Sequence, residues 1–563
     1  MRPQAARTAG APGAGTGTHG PPPAGGGPGP AAARPVQGAP SGRFLARAAL
    51  LSAALSIAGA ILGLGRDQAL AHLFGAGAET DAFLVAWTVP ELAATLLIED
   101  GLAFVLVPAF SAALALRARG KGVPDPVRAL VAASLPRLCL ALAATAAALV
   151  AGAPLVVSVL APGLRDTSLA VACTRLTATC VLSFGLAGYC SAALRAHRSY
   201  LAPGAIYIAY NIAIIASMFV LGAHWGVRSA ALGVALGGCL MVAVQAPSLA
   251  RRVVGRPGRR ALAYDGEESR PLAPGLVCAV LLFALCRQSQ VLIERYLASG
   301  LPAGAISHLN YAQKVAQLPM SLSLMVCVVT FPVVAQAIAE GDTRRARDRV
   351  ERDLLLMACL VLLGAAVVVA CAPQIIQVLF QRGAFTARDT AATASVMRVY
   401  ATGLLGQTLV GALVRSYFAA GRTNWFPLGA MGVGALATVA IGTWAVGPWG
   451  ACGIAAANAA GITVTALLLL HGLGPGSVPV RVRRFLADLA RPLLAAVCAA
   501  AAGLFSAGLF ASPAAALTAC CICVSTVFLV LTFLLDAAGS RSLLLSVGHN
   551  LRHSVTRKVG HGR

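Results

Sequence analysis

About fourteen apolar runs, each long enough to cross a bilayer as a helix, constrain this chain more than any other feature of its 563 residues. They fall at roughly 44–65, 81–115, 129–161, 168–194, 200–222, 229–249, 273–297, 303–338, 354–378, 390–418, 425–445, 449–471, 485–511 and 514–536. A hydrocarbon layer about 30 Å thick asks for about 20 apolar residues per helix. Inside it the backbone must satisfy its own hydrogen bonds, so repeated runs of this length fold as helices. With 58% hydrophobic and 11% charged residues and a mean hydropathy of +0.78, the composition excludes an ordinary soluble domain. The sequence predicts an all-α polytopic membrane protein.

The net charge of +24 would suit a nucleic-acid binder, but its distribution does not. Basic residues gather in alternate short loops: Arg117 to Arg128, Arg195 and Arg198, Arg251 to Arg260, Arg344 to Arg352, Arg415 and Arg422, Arg481 to Arg484, and the tail with Arg541, Arg552, Arg557 and Lys558. The intervening loops GAGAET, APGLRDTS and AVGPWGA hold few. That alternation is the signature of positive-inside topology, with both termini cytoplasmic and no nucleic-acid partner. The first 42 residues are rich in Pro, Gly and Ala and are expected to be disordered. No cleavable signal is evident, because the first apolar run begins far from Met1. The 15 cysteines show no zinc-type spacing, and the Cys520, Cys521 and Cys523 cluster reads as small packing residues. No GxxxxGK[ST] loop and no nucleophile–base arrangement is present, so the chain is expected to be a transporter and not an enzyme, with no cofactor, no catalytic residue and no metal site.

The chain also repeats itself. VLAPGLRDTSLAVACTRL (159–176) and VLFQRGAFTARDTAATASVMRV (378–399) share a helix end, a short loop and a helix start. Arg175 stands 28 residues before Pro203 and Arg398 stands 29 before Pro427; Asp81 and Asn310 each precede a proline by nine. Six crossings separate the copies, an even number, so the halves are parallel repeats. The expected domains are a basic cytoplasmic tail (1–42), an N-terminal lobe of six helices (43–250), a cytoplasmic linker (251–270), a C-terminal lobe of six helices (271–472), two further helices (473–538) and a basic cytoplasmic tail (539–563). In transporters built from repeats the substrate sits near the membrane midplane between the halves.

The segments LGLGRDQALAHLFGAGAETDAFLVAW, LAPGL at 160–164, ASGLPAGAISHLNYAQKVAQLP at 298–319 and LFQRGAFTARDT at 379–390 resemble the MurJ/MviN lipid II flippases of the multidrug/oligosaccharidyl-lipid/polysaccharide exporter superfamily. The resemblance covers most of residues 44–540. It implies fourteen helices, two lobes around a central cationic cavity, a bacterial plasma-membrane location, and transfer of an undecaprenyl-pyrophosphate-linked peptidoglycan precursor between leaflets by alternating access. Membrane lipids and cell-wall synthesis proteins follow as further partners. By the same resemblance Arg66, Asp81 and Glu99 match functional positions of the family, and Lys314 stands where the family has an arginine. Three other cavity arginines of the family fall on Ala60, Ala94 and Thr95. Pyrophosphate needs several cationic donors, so the departure bears directly on cargo.

Read without the family, these residues keep alternatives. An ionisable group inside a membrane span usually faces a protein interior or a wet cavity and marks a site. Arg66 is either a cavity cation or a snorkelling residue at the outer interface, and Asp67 an interface or helix-end residue. Asp81 caps its own helix or serves a cavity or gate. Glu91, Thr95 and Glu99 share one helical face by their spacing of four, with Asp100 pointing elsewhere, and Glu91, Glu99 and Asp100 are the candidate coupling carboxylates. Lys314 binds cargo or pairs with a first-half carboxylate such as Glu99. Arg287, Gln290 and Glu294 line one face, with Arg287 a cavity candidate and Glu294 and Arg295 an outer-end pair. Thr386 caps the helix that follows it. Three functions remain in competition: a lipid II flippase, an ion-coupled exporter of another polyprenyl-linked or amphiphilic substrate, and a non-transporting membrane scaffold for cell-wall enzymes.

Overall fold

The structure, a computed structural model, describes residues 42–99, 101–118, 125–254, 274–325, 343–419, 424–473 and 480–536. Asp100, the tails and most of the 251–270 linker lie outside the described residues, as do Lys121, Lys558 and the end of the eighth apolar run. The main helices are α1 (Gly42–Phe74), α2 (Ala78–Ala86), α3 (Thr88–Ala93), a π-helical stretch (Ala94–Glu99), α4 (Gly101–Ala118), α5 (Pro126–Ala151), α6 (Ala153–Leu160), α7 (Thr167–Ala178), α8 (Cys180–Ala196), α9 (Leu201–Trp225) and α10 (Arg228–Val254). They continue with α11 (Pro274–Ala298), α12 (Ala305–Ala316), α13 (Thr343–Phe380), α14 (Ala387–Thr402), α15 (Leu404–Ala419), α16 (Phe426–His471), α17 (Val482–Ala507) and α18 (Pro513–Leu534). The described secondary structure is helical, as the apolar runs require. Nine helical segments among the described residues are long and apolar enough to cross a membrane. One, Phe426–His471, covers two of the apolar runs and breaks at Gly450.

Local chemistry sets the helix boundaries. Asp125 accepts from the Val127 amide and Pro126 supplies the first residue of α5. Asp166 accepts from the Leu169 amide at the start of α7 (2.9 Å), and Thr386 and Asp389 form a reciprocal capping box on α14. These two caps fall at matching points of the sequence repeat. Another matching pair is Gly226 (φ 55°, ψ −143°) between α9 and α10 and Gly450 (φ 54°, ψ −131°) within α16. Both occupy a backbone region open to glycine, so the same sharp turn is built twice.

Helix packing follows the rule for apolar surroundings, where small residues allow close approach. The two arms of α16 meet through Gly434 against Thr465 and Gly461 against Thr438. Helices α13, α17 and α18 share one buried cluster that includes Leu354, Phe485 and Phe528. Within it Cys371 and Cys520 are disulfide-bonded across 149 residues of sequence. This corrects the reading of Cys520 as a packing residue: the partner lies on a helix five crossings earlier, at a distance no spacing rule detects. Cys521 and Cys523 are free.

Candidate functional site

Three charges from two distant segments meet beneath a tryptophan. Near the end of α1, the Arg66 guanidinium donates to the Asp67 carboxylate at 2.8 and 3.1 Å and to Asn211 Oδ1 of α9 at 3.2 Å. Asp67 is only 4% exposed and takes a second cation, Lys314 of α12, with Nζ 3.0 Å from its oxygen. Arg66 lies 4.4 Å from the centre of the Trp87 ring and Lys314 5.8 Å, both within cation–π range. Asn211 in turn donates to the carbonyls of Gly59 and Tyr207, which fixes α1 against α9. The cavity enclosed by Arg66, Asp67, Trp87 and Lys314 is about 10 Å³. Lys314 nevertheless keeps 29% of its side-chain surface accessible, against 13% for Arg66. The triad carries two cations and one anion. Lys314 thus pairs with a first-half carboxylate, as the sequence allowed, but that carboxylate is Asp67 and not Glu99, which accepts from the Tyr207 hydroxyl at 3.0 Å.

Asp81 does not cap its own helix. Gly77 occupies that N-cap position without a side-chain bond. The buried Asp81 carboxylate instead accepts from the Gly304 and Ser307 amides (2.6 and 2.8 Å) and from the Ser307 hydroxyl (2.5 Å). It therefore caps the N-terminus of α12 from another segment, satisfying donors that have no partner within that helix. The neighbouring loops interlock in the same way. Ala384 donates its amide to the His72 carbonyl (2.9 Å), Gln68 donates to the Leu379 carbonyl (3.1 Å), and the Gly163 amide donates to Ser299 Oγ (3.3 Å). His308 Nε2 lies 3.2 Å from Asp389. Glycine is required at these crossings: a Cβ on Gly75 would reach 2.7 Å from the Ala384 carbonyl oxygen, and one on Gly163 would reach 2.8 Å from Gly300 Cα. The four sequence segments that carry the family resemblance thus converge on one latch, whose parts come from residues 68–81, 163, 299–308 and 379–389.

The second apolar run turns two faces to its neighbours. Glu91 is paired with Arg295 of α11 at 2.9 Å, and Arg295 also donates to the Thr88 hydroxyl. Thr95 accepts from Gln288 Nε2 at 3.0 Å. Glu91 and Thr95 thus face α11, while Glu99 faces α9, so the three do not share one face. The π-helical turn from Ala94 to Glu99 widens the helical repeat and breaks the four-residue stacking that the sequence suggested. Ala60 is exposed and Ala94 half-buried. On α11, Gln290 and Glu294 are buried but Arg287 is exposed, with no hydrogen bond or ion pair to another described residue. Glu294 and Arg295 do not pair with each other: Asn458 of α16 donates to Glu294. Glu294, Arg295, Asn458 and the linking role of Asp67 are what sequence reasoning missed or underweighted. The available signal was polarity in the middle of apolar runs, clearest for Asn458 within GIAAANAAG.

Comparison with known proteins agrees with the resemblance. A lipid II flippase MurJ of Burkholderia cenocepacia is 28% identical over 386 residues, 67% of this chain and 73% of that protein. A probable lipid II flippase MurJ of Bdellovibrio bacteriovorus is 29% identical over 392 residues, 67% of this chain and 72% of that protein. Among solved structures, one described as lipid II flippase MurJ in an inward closed conformation superposes with a TM-score of 0.67 at 19% identity, covering 88% of this chain and all of that one. An inward-facing multidrug resistance MATE family transporter of the MOP superfamily gives 0.56 at 14% identity, covering 78% of this chain and 99% of that one. These structural likenesses establish the fold. The family model described as lipid II flippase MurJ matches residues 70–522, most of the chain and all four resemblance segments but the start of the first, and on that match this multi-pass bacterial membrane protein belongs to the MurJ family.

Proposed function

We propose that the protein flips lipid II, the undecaprenyl-pyrophosphate-linked peptidoglycan precursor, from the inner to the outer leaflet by alternating access, without hydrolysing anything. The observation that carries this reading is the Arg66–Asp67–Lys314 triad, a cationic pair poised around one carboxylate directly beside the latch. Arginine offers a forked donor and lysine a point charge, a combination suited to phosphate oxygens. Asp67 holds both until an anion of higher charge competes for them. In this reading the latch is the outer gate, the two parallel lobes are residues 43–250 and 271–472, and both termini are cytoplasmic. Arg287, exposed on α11, is a further cavity cation. Of the carboxylates, Glu91 and Glu99 are each engaged by a neighbour, and Glu294, buried against Asn458, joins them as a candidate for coupling to an ion gradient. One charge moved across 100 mV contributes about 2.3 kcal/mol, enough to bias a two-state carrier.

A second reading keeps the carrier and changes the cargo. Ala60, Ala94 and Thr95 supply no cation where the family has three, which favours a polyprenyl-linked or amphiphilic substrate of lower charge. Complementation of a flippase-depleted bacterium, joined to mass spectrometry of co-purifying lipids, tests both readings. Wild-type protein is expected to restore growth and retain lipid II, whereas Lys314→Ala fails and Lys314→Arg succeeds. Growth restored equally by Lys314→Ala refutes the carrier mechanism, and retention of a different polyprenyl lipid in place of lipid II refutes the cargo.

A further inference from the structure

Away from the triad and the latch lies a cavity of about 570 Å³. It is bounded by the second apolar run (Val89, Leu92, Leu96), by α5 and α6 (Leu149, Val156) and, from α11, by Leu292. Its polar side chains are Thr88 and Thr145. Each hydroxyl already donates to a backbone carbonyl, Thr88 to Val85 at the end of α2 and Thr145 to Ala141 of its own helix, both at 2.8 Å. No charged side chain lines it. Protein interiors do not leave voids of this size unfilled. Water needs two to four polar partners, which this wall does not offer.

Two further features bear on the occupant. The rim residues Leu155 and Val159 are 68% and 66% exposed on α6, within the third apolar run (129–161), so the mouth opens onto lipid. The π-helical turn that carries Leu96 and Leu97 into the wall is a distortion found frequently at functional sites. Size and lining match those of a ligand site for an apolar molecule.

We propose that this cavity seats one acyl chain of a bilayer phospholipid. Because its wall includes both the second apolar run and Leu292 of α11, the chain fits only while those segments hold their present spacing. A ligand shifts an equilibrium by its differential affinity for the two states, so the seated chain favours this conformation over one in which α11 moves away. The binding claim stands apart from the flippase reading, and its test does not use transport.

The full-length protein is reconstituted in vesicles of phosphatidylethanolamine and phosphatidylglycerol in which a fraction of the acyl chains carries a terminal diazirine. After irradiation, adducts are located by mass spectrometry. Adducts are expected on Leu92, Leu96, Leu149 and Val156 in excess of those on the lipid-facing Leu529 of α18, which is 60% exposed. Leu92→Trp, which fills the cavity, and Thr145→Trp, which obstructs its mouth from an exposed position, should each remove most of them and leave labelling of Leu529 unchanged. Labelling of the wild-type cavity no greater than that of Leu529 overturns the proposal, and this comparison holds whether or not the variants fold. Displacement of the phospholipid adducts by an equal amount of polyprenyl phosphate also overturns it, by assigning the cavity to an isoprenoid chain.

Discussion

Removing the carboxylate of Asp81 tests the latch most directly. In the structure it accepts three hydrogen bonds of 2.5–2.8 Å from Gly304 and Ser307. Hydrogen bonds to a charged group contribute about 1.5–3 kcal/mol each, and a helix cap alone contributes about 0.5–2 kcal/mol. Burying the carboxylate costs several kcal/mol, which offsets part of the sum. The net loss expected for Asp81→Ala is therefore about 2–4 kcal/mol of local stability, concentrated at the start of α12. Those amides have no partner within their own helix, so their protection from hydrogen exchange reports the contact itself. Exchange at Gly304 and Ser307, followed in nanodiscs by mass spectrometry, should accelerate roughly 30- to 1,000-fold. Asp81→Asn keeps one acceptor oxygen and should lose about half of that free energy. Unchanged protection at Gly304 and Ser307 in Asp81→Ala would refute the cap from a distant segment and with it the latch.

Gly163→Ala places a methyl group 2.8 Å from Gly300 without backbone strain, so the loop at 161–165 must draw back. Overpacking of this kind costs about 1–3 kcal/mol, readable as a lowered unfolding temperature and as faster exchange of the Gly163 amide. Thr386→Ala dismantles the capping box on α14 and is expected to cost about 0.5–2 kcal/mol; an unaltered melting temperature would deny the box any energetic role. Asp166 gives a pH signature. The Leu169 amide and Ser168 hydroxyl hold its carboxyl below the ordinary carboxylate range. A depressed folded value means its contribution is present above the unfolded value of about 3.9 and disappears as the pH falls through the folded one. Exchange at Leu169 should thus be faster in Asp166→Ala than in the parent at neutral pH, and the difference should vanish in strong acid.

The fold was legible because a bilayer reduces the choice to helices, and apolar length then marks each one. Caps were legible too: Thr386 announces itself by its spacing to Asp389, a purely local rule. What was not legible was which residue, far along the chain, would be the partner. Lys314 stands out as a lone lysine in an apolar run, but its partner Asp67 lies 247 residues away, and nothing in the local pattern favours it over Glu99. The common face of Glu91, Thr95 and Glu99 failed for a different reason. It assumed 3.6 residues per turn, and the π-helical turn, which no propensity rule announces, rotates Glu99 onto Tyr207. Cys371 and Cys520 combine both difficulties, a long separation and a residue type that packs equally well unpaired.

The triad and the latch occupy adjoining stretches of the same two segments, and this links charge to conformation. Asp67 follows Arg66 directly in α1, which leads into Gly75 and Asp81; Lys314 lies in the helix that Asp81 caps. With two cations on one carboxylate, the triad has a single positive charge to spare. An anionic headgroup that binds Lys314, the most accessible of the three, competes with Asp67 for it. The bond lost is then one that ties α1 to α12, the helix whose N-terminus Asp81, in the segment that follows α1, also holds. Under the flippase reading, cargo of sufficient charge loosens the bond between the segments whose separation opens the gate, and an uncharged lipid does not. Selectivity for an anionic headgroup then comes from the competition with Asp67 as much as from the number of arginines, which is how a chain with Ala60, Ala94 and Thr95 in place of three cations can still discriminate.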